Sequence, residues 1–245
     1  MAAKKVGVIT QARTTSTRLP GKVLLKAGTK TILKHHTDRL RGAGLTLYIA
    51  TTTNETDDPI AAFAREEEIA VCRGDEQNVL SRFYECALQH QLDVIVRVTS
   101  DCPLIDGYVI ADAVRRYLEL DNEQVYLSNA LQRTYPRGFD FEIFSFKLLE
   151  EAYQNATKPE ELEHVTPYIN QNKSGHVILK HYTRPSDASH YRITLDTPED
   201  LLLIRALLEN FQADCLGAEE IIQLLDEHPE LAQLNAAVEQ KKLGE

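Results

Sequence analysis

"VGVIT" (Val6–Thr10) runs directly into "QARTTSTRLPGK" (Gln11–Lys22). The first piece is short, apolar and β-branched, the composition of a strand covered on both faces. The second holds Arg13, Arg18 and Lys22, with the hydroxyls of Thr14, Thr15, Ser16 and Thr17 between them. A buried strand that opens into such a loop is the entry to a parallel α/β sheet, whose ligands lie outside the carboxyl ends of its strands. The chain carries a formal charge of −10, so these cations are not part of a general basic surface. They form a local anion site. The same balance argues against a nucleic-acid partner, which requires a basic face.

The pattern outward from this stretch agrees. "LTLYIAT" (Leu45–Thr51) and "DVIVRVT" (Asp93–Thr99) are further buried strands. "TILKHHTDRLRGAG", "DPIAAFAREEE", "NVLSRFYECALQH" and "DGYVIADAVRRYLEL" have helical spacing and lie between or after them. Strand–helix alternation implies right-handed crossovers and a mostly parallel sheet flanked by helices. Near Val125 the pattern changes. "VYLSN", "FDFEIFS" and "HVILKHYT" alternate more and read as partly antiparallel, with helices expected at Phe146–Asn155 and Glu160–Asn172. Parallel order is expected to resume in "YRITLDTPEDLLLIRALLENF". The expected fold is therefore α/β, a single domain over residues 1–245 with an α+β lobe of about 125–190 inserted into it. From Ala218 onward the chain reads as two polar amphipathic helices, with Pro229 suited to the first turn of the second.

Cys72, Cys86, Cys102 and Cys215 are scattered and contain no C-x-x-C pair. They read as small buried hydrophobes in a reducing compartment rather than as a metal or disulfide framework. No apolar run approaches the ~20 residues that span a bilayer, and the opening "MAAKKVGVIT" is too short in its apolar part for a signal peptide. A soluble cytoplasmic protein is expected.

The residue types in the opening loop suit a polyphosphate. Arginine offers a rigid fork to phosphate oxygens and lysine a mobile point charge. A nucleoside triphosphate carries roughly four negative charges, far more than the ~0.5 charge of a helix N-terminus can balance. Neither a Walker loop nor a G-x-G-x-x-G fingerprint is present. Asp101, in "RVTSDCPLID", falls just past the end of a buried strand. Asp196, in "ITLDTPED", ends another, and Thr197, Pro198, Glu199 and Asp200 follow as a helix start. Two strand-end carboxylates opposite a cationic loop are, with phosphate oxygens, the donors Mg²⁺ prefers. Phosphoryl-type transfer at such a site needs positioning and charge neutralisation rather than a covalent nucleophile.

"ITQARTTSTRLPGKVLL", "RGDEQNVLSRF", "RVTSDCPLID", "YLSNALQRTYPRGFDFEIFS", "EHVTPYI" and "LDTPEDLLLIR" together resemble the spore-coat polysaccharide biosynthesis protein F family. That family belongs to the cytidylyltransferase group that includes the CMP-Kdo and CMP-sialic acid synthetases. The resemblance runs from about Lys5 to Arg205. It implies a Rossmann-like nucleotidyltransferase fold, transfer of CMP from CTP with release of pyrophosphate, Mg²⁺ as cofactor, and a homodimer formed through the inserted lobe. Residue by residue, it implies phosphate contacts for Arg13 and Lys22 and metal ligation by Asp101 and Asp196, all four being the catalytic set. Ala12, Ser16, Gly74, Asn78 and Ser100 are implied near the nucleotide, and Arg137, Asp140 and His164 near the acceptor. The implied acceptor is a small anion, a sugar acid for surface glycan synthesis. Other readings stay open: a sugar phosphate or phosphonate as acceptor, a glycosyltransferase using a finished nucleotide sugar, or a non-catalytic nucleotide-binding subunit.

Overall fold

In the computed structural model, which describes residues 3–240, the strand–helix alternation closes into one sheet. The strands and helices in chain order are β1 (Val6–Gln11), β2 (Lys26–Ala27), β3 (Lys30–Thr31), α1 (Ile32–Gly42), β4 (Leu47–Thr52), α2 (Asp58–Glu66), β5 (Ala70–Gly74), α3 (Val79–Gln89), β6 (Val94–Thr99) and α4 (Gly107–Glu119). There follow β7 (Val125–Ser128), β8 (Glu142–Ser145), α5 (Phe146–Asn155), α6 (Pro159–His164), α7 (Pro167–Asn170), β9 (Ile178–His181), α8 (Pro198–Phe211), α9 (Ala218–Glu227) and α10 (Pro229–Gln233). The main sheet has seven strands in the order β5-β4-β1-β6-β8-β7-β9. β1 pairs in parallel with β4 and β6, with Val8 opposite Leu47 and Val96. β8 runs antiparallel to both of its neighbours, β6 and β7.

Both faces of the sheet are covered, so successive strand residues feed different cores. Val8, Ile49, Val96 and Leu127 join one core with Leu33 and Leu40 of α1, Ile110 of α4 and Leu203 and Leu207 of α8. Ile9, Ala50, Ile95, Tyr126 and Phe144 join the other with Leu80 and Phe83 of α3 and Leu148 and Leu149 of α5. This two-sided burial explains why the strands read as continuous apolar runs. Among the described residues, no helix is long and apolar enough to cross a membrane.

β7, β8 and β9 extend the main sheet at one edge, and β8 supplies the antiparallel pairing that the alternating segments suggested. Three expectations are corrected. Tyr191–Leu195 is extended but is not a strand of the sheet. It makes one isolated parallel bridge, Arg192 to Arg137. The helix expected over Glu160–Asn172 is broken into α6 and α7, with Val165 between them at φ 69°. Pro167 has no N–H to donate back to the preceding turn, so the first helix stops and a second starts on the proline. The third concerns cysteine: Cys72 on β5 and Cys86 on α3 form a disulfide, with Cα atoms 5.6 Å apart, well inside the usual range. The sequence gives no sign of this, because the two positions meet only when α3 packs on the sheet.

Candidate active site

β1, β4, β5 and β6 run parallel, so Gln11, Thr52, Gly74 and Thr99 all end at one edge of the sheet. The loops that leave them gather there. The cationic loop after β1 is closed by Gly21, whose left-handed backbone (φ 67°) lets its N–H donate to the carbonyl of Thr14 at 2.8 Å. Lys22 follows at the start of a single 3₁₀ turn, Lys22–Leu24. Its stem therefore leaves from a fixed point.

The Lys22 ammonium lies between the two expected carboxylates. It donates to Asp101 Oδ2 at 2.6 Å and to Asp196 Oδ1 at 2.8 Å. Asp101 comes from the turn after β6, and Asp196 from the end of the extended Tyr191–Leu195 segment. The Leu195 N–H donates to the Asp101 carbonyl at 2.8 Å and ties the two together. Burial alone would raise the Asp101 carboxyl, but the Lys22 ammonium overrides it and brings the pKa down to about 2. Burial would likewise lower Lys22, yet Asp101 and Asp196 hold it above its ordinary value. Both ions are thus charged at neutral pH.

Asp196 is held by more than Lys22. Its Oδ2 accepts from Arg192 at 2.8 Å and faces the Arg18 guanidinium at 3.0 Å. Arg192 is in turn gripped by both oxygens of Asp200, each at 2.9 Å. Asp200 is fully buried and also accepts from the N–H groups of Asp196 and Thr197. The sequence reading recognised Thr197 as the helix cap and Asp200 as a first-turn acid, and both occur in a capping box on α8. It missed that Asp200 fixes Asp196 through Arg192, because Arg192 lies outside the helix and its direction is set by tertiary structure.

The donors here fit a divalent cation. Two carboxylates from separate segments converge, and an ammonium already stands between them as a cationic stand-in. Mg²⁺ is commonly held by one or two carboxylates completed by water and substrate phosphate. Asp101 and Asp196 are the residues that would hold it.

On the β4–β5 side, Arg13 makes only loose pairs, 3.6 Å to Glu76 and 3.8 Å to Glu163. Ala12 is buried and its N–H donates to the Ala50 carbonyl. Ser16 is half-buried. Asn78 caps α3 by accepting from the Ser81 N–H at 2.9 Å, and Ser100 donates to the Gln11 carbonyl at 2.6 Å. Both are engaged in holding backbone at the rim. Gly74 ends β5, where an added Cβ would lie 2.9 Å from Cγ of Arg82. Arg82 is the residue that sequence reasoning passed over. It is 2 % exposed, and its Nε and Nη1 are buried without a hydrogen-bond partner among the described residues. Burial, and next the charge of Arg13, lower its pKa to about 10. Two buried N–H groups without acceptors are costly in the free protein, although the charges of Asp57, Asp75 and Glu76 offset part of it. Its sequence signal was its place in "NVLSRF", one position before a core phenylalanine, where an arginine is out of keeping.

Across the site, the "PRGFD" turn is laid against the Tyr191–Leu195 segment. Arg137 exchanges backbone hydrogen bonds with Tyr191 and Ile193. Gly138, at φ 112°, leaves no room for a side chain: a Cβ would meet the Ile193 backbone at 2.8 Å. Asp140 is paired with Arg133 at 2.5 Å and accepts the Gly138 N–H. The Arg137 guanidinium has no ion pair among the described residues. Burial, followed by the charge of Arg133, lowers its pKa, and Arg192 acts in the same direction. His164 lies apart, at the end of α6. Burial lowers its pKa, and its charged neighbours are Glu163, Arg97, Glu142 and Glu160. Glu142 anchors this wall by accepting from Arg97, Tyr126 and Thr166.

The family described as cytidylyltransferase matches residues 7–243. The spore coat polysaccharide biosynthesis protein SpsF of Bacillus subtilis is 32% identical, over 91% of this chain and 95% of that protein. A cytidylyltransferase structure from Leptospira borgpetersenii superposes with a TM-score of 0.89 at 33% identity, covering 94% of this chain and 98% of the other. A CMP:2-keto-3-deoxy-manno-octonic acid synthetase complexed with CTP shares the fold, with a TM-score of 0.62 at 17% identity over 84% of this chain and 99% of that one. With the motifs in order along nearly the whole chain, the protein belongs to the cytidylyltransferase family and is a CTP-dependent nucleotidyltransferase.

Proposed function

We propose that the protein transfers the cytidylyl group of CTP to a small anionic acceptor, a sugar acid destined for a surface glycan. The observation that carries the transfer site is the meeting of Asp101 and Asp196 around the ammonium of Lys22, the last residue of the Arg13–Lys22 loop. An anionic acceptor is supported by the arginines on the far wall, where Arg137 stands beside Arg133 without an ion pair among the described residues. The name of the SpsF relative is the support for a polysaccharide pathway.

In this reading an acceptor oxygen attacks the α-phosphorus in line and pyrophosphate departs. Asp101 and Asp196 would hold Mg²⁺, which when bound would neutralise phosphate charge and lower the pKa of the attacking hydroxyl. Arg13, Arg18 and Lys22 neutralise the β- and γ-phosphates, so the leaving group departs toward cations that are already in place. Arg192 and Asp200 keep the Asp196 carboxylate at a fixed angle. Arg137 holds the anionic end of the acceptor, beside the Arg133–Asp140 pair. The homodimer belongs to the same proposal. β9 pairs only with β7 among the described residues, and Ile178 and Leu179 are exposed along it.

The test is pyrophosphate release from each nucleoside triphosphate against a panel of sugar acids, sugar phosphates and phosphonates. Turnover with CTP and a sugar acid supports the proposal. Turnover only with a phosphate or phosphonate changes the acceptor class. CTP binding with no release on any acceptor would leave a binding subunit. Light scattering of a monomer at micromolar protein would remove the dimer.

A further inference from the structure

Asp101 Oδ2 and Asp196 Oδ1 share one partner, the Lys22 ammonium, at 2.6 and 2.8 Å. That side chain is 11% exposed, so the contact is no loose surface pair. The other oxygen of Asp196 is already committed to Arg192 and Arg18. Asp196 is thus left with the oxygen that faces Lys22, and a metal that bridges it to the nearer oxygen of Asp101 meets the same ammonium. A divalent ion bound to both would sit about 2.0–2.1 Å from each oxygen, in the space that the ammonium occupies. Two cations cannot share that space, because their repulsion at such a distance is severe.

We propose that Lys22 is a resident counter-ion that closes the metal site in the free protein and gives up its place only when a triphosphate offers it another anion. The inference rests on the reading of Asp101 and Asp196 as the metal carboxylates. The motion it requires is small. The Lys22 N–H donates to the Leu19 carbonyl and its carbonyl accepts from the Leu25 N–H, each at 3.2 Å, while its side chain is a flexible four-carbon stem. Rotation of the stem moves the ammonium from carboxylate to phosphate while the loop stays in place. Metal and nucleotide then bind as a coupled pair. Metal alone must displace an ammonium that has nowhere else to go, and metal with a triphosphate exchanges it onto the β- or γ-phosphate. The exchange also protects the site. Without Lys22 the partly buried Asp101 would lose its ion pair beside a second carboxylate, Asp196, which keeps only Arg192 and Arg18, and that is costly.

The experiment measures Mn²⁺ binding to the full chain by electron paramagnetic resonance, which counts free ion and needs no turnover. Lys22→Met keeps the length and packing of the stem and removes its charge, and circular dichroism establishes that each variant is folded. In the absence of nucleotide, Lys22→Met should bind Mn²⁺ at least tenfold more tightly than the parent. The parent should tighten on Mn²⁺ when a non-hydrolysable CTP analogue is added, and that gain should shrink in Lys22→Met. Lys22→Arg, which keeps the cation, should not gain affinity for the free ion. A folded Lys22→Met with unchanged or weaker Mn²⁺ binding, in a protein where Asp101→Asn abolishes binding, overturns the counter-ion role alone. Unchanged Mn²⁺ binding in Asp101→Asn overturns the metal-site reading and this inference with it.

Discussion

His36 sits on α1 directly beneath the site and has no exposed surface. Its Nδ1 lies 2.9 Å from the Cys102 carbonyl and its Nε2 2.9 Å from the Thr10 hydroxyl. A carbonyl can only accept, so Nδ1 carries the proton and the neutral Nε2 accepts from Thr10. This one ring joins α1, β1 and the turn that carries Asp101. Burial pushes its pKa from 6.5 down to about 4, against smaller opposing effects of the Cys102 carbonyl and Asp101. Between those values the unfolded chain binds a proton that the folded protein refuses. Stability therefore rises with pH across that window and is lost as pH falls through it. With a folded pKa of about 4, the loss from this residue between about pH 7 and pH 5 comes to about 2 kcal/mol. The assay is urea unfolding at both pH values for the parent and His36→Asn. The substitution also leaves the Thr10 hydroxyl without its acceptor, a cost of about 1–3 kcal/mol, but that cost is independent of pH. The stability difference between parent and variant should therefore narrow by about 2 kcal/mol on acidification, which at a typical urea slope is a midpoint change of the order of 1 M. Equal pH slopes in the two proteins would refute the reasoning, since they would mean that His36 charges as readily folded as unfolded.

Three more outcomes are expected. Asp101→Asn and Asp196→Asn should each cut turnover by ~10²-fold or more with the fold kept, the scale of one preorganised electrostatic group; near-normal rates at saturating Mg²⁺ would remove that residue from the site. Arg82→Met should leave thermal stability unchanged or raised, because it removes a buried guanidinium whose Nε and Nη1 lack hydrogen-bond partners among the described residues; a clear loss of thermal stability would show instead that the charges of Asp57, Asp75 and Glu76 hold it there. Thiol titration of the denatured, unreduced protein should detect Cys102 and Cys215 but not Cys72 and Cys86, and reduction should restore the missing pair; reaction of all the cysteines before reduction would contradict the disulfide.

The strands, the helices and the edge of the sheet where the chemistry lies were legible because each depends on neighbours in sequence. Apolar runs such as "DVIVRVT" signal two-sided burial, and Thr197-Pro198 signals a helix start within one turn. Asn78 as the cap of α3 was equally local, a side-chain acceptor three residues before the Ser81 N–H, and could have been assigned a structural role from spacing alone. The cationic loop and the strand-end acids stood out against a chain of opposite net charge. What distance in sequence conceals is which groups meet. Lys22 reaches two carboxylates at positions 101 and 196. Arg192 turns back to join Asp196 to Asp200, Cys72 finds Cys86, and Nε and Nη1 of Arg82 are buried without a hydrogen-bond partner among the described residues. The Tyr191–Leu195 segment reads as a strand because Tyr191, Ile193 and Leu195 alternate with Arg192 and Thr194, yet it packs over the "PRGFD" turn and makes a single isolated bridge. Local propensity determines the backbone state of a segment. Pairing between segments depends on how helices pack on the sheet and on which charges are left desolvated together, and those are properties of the closed tertiary structure alone.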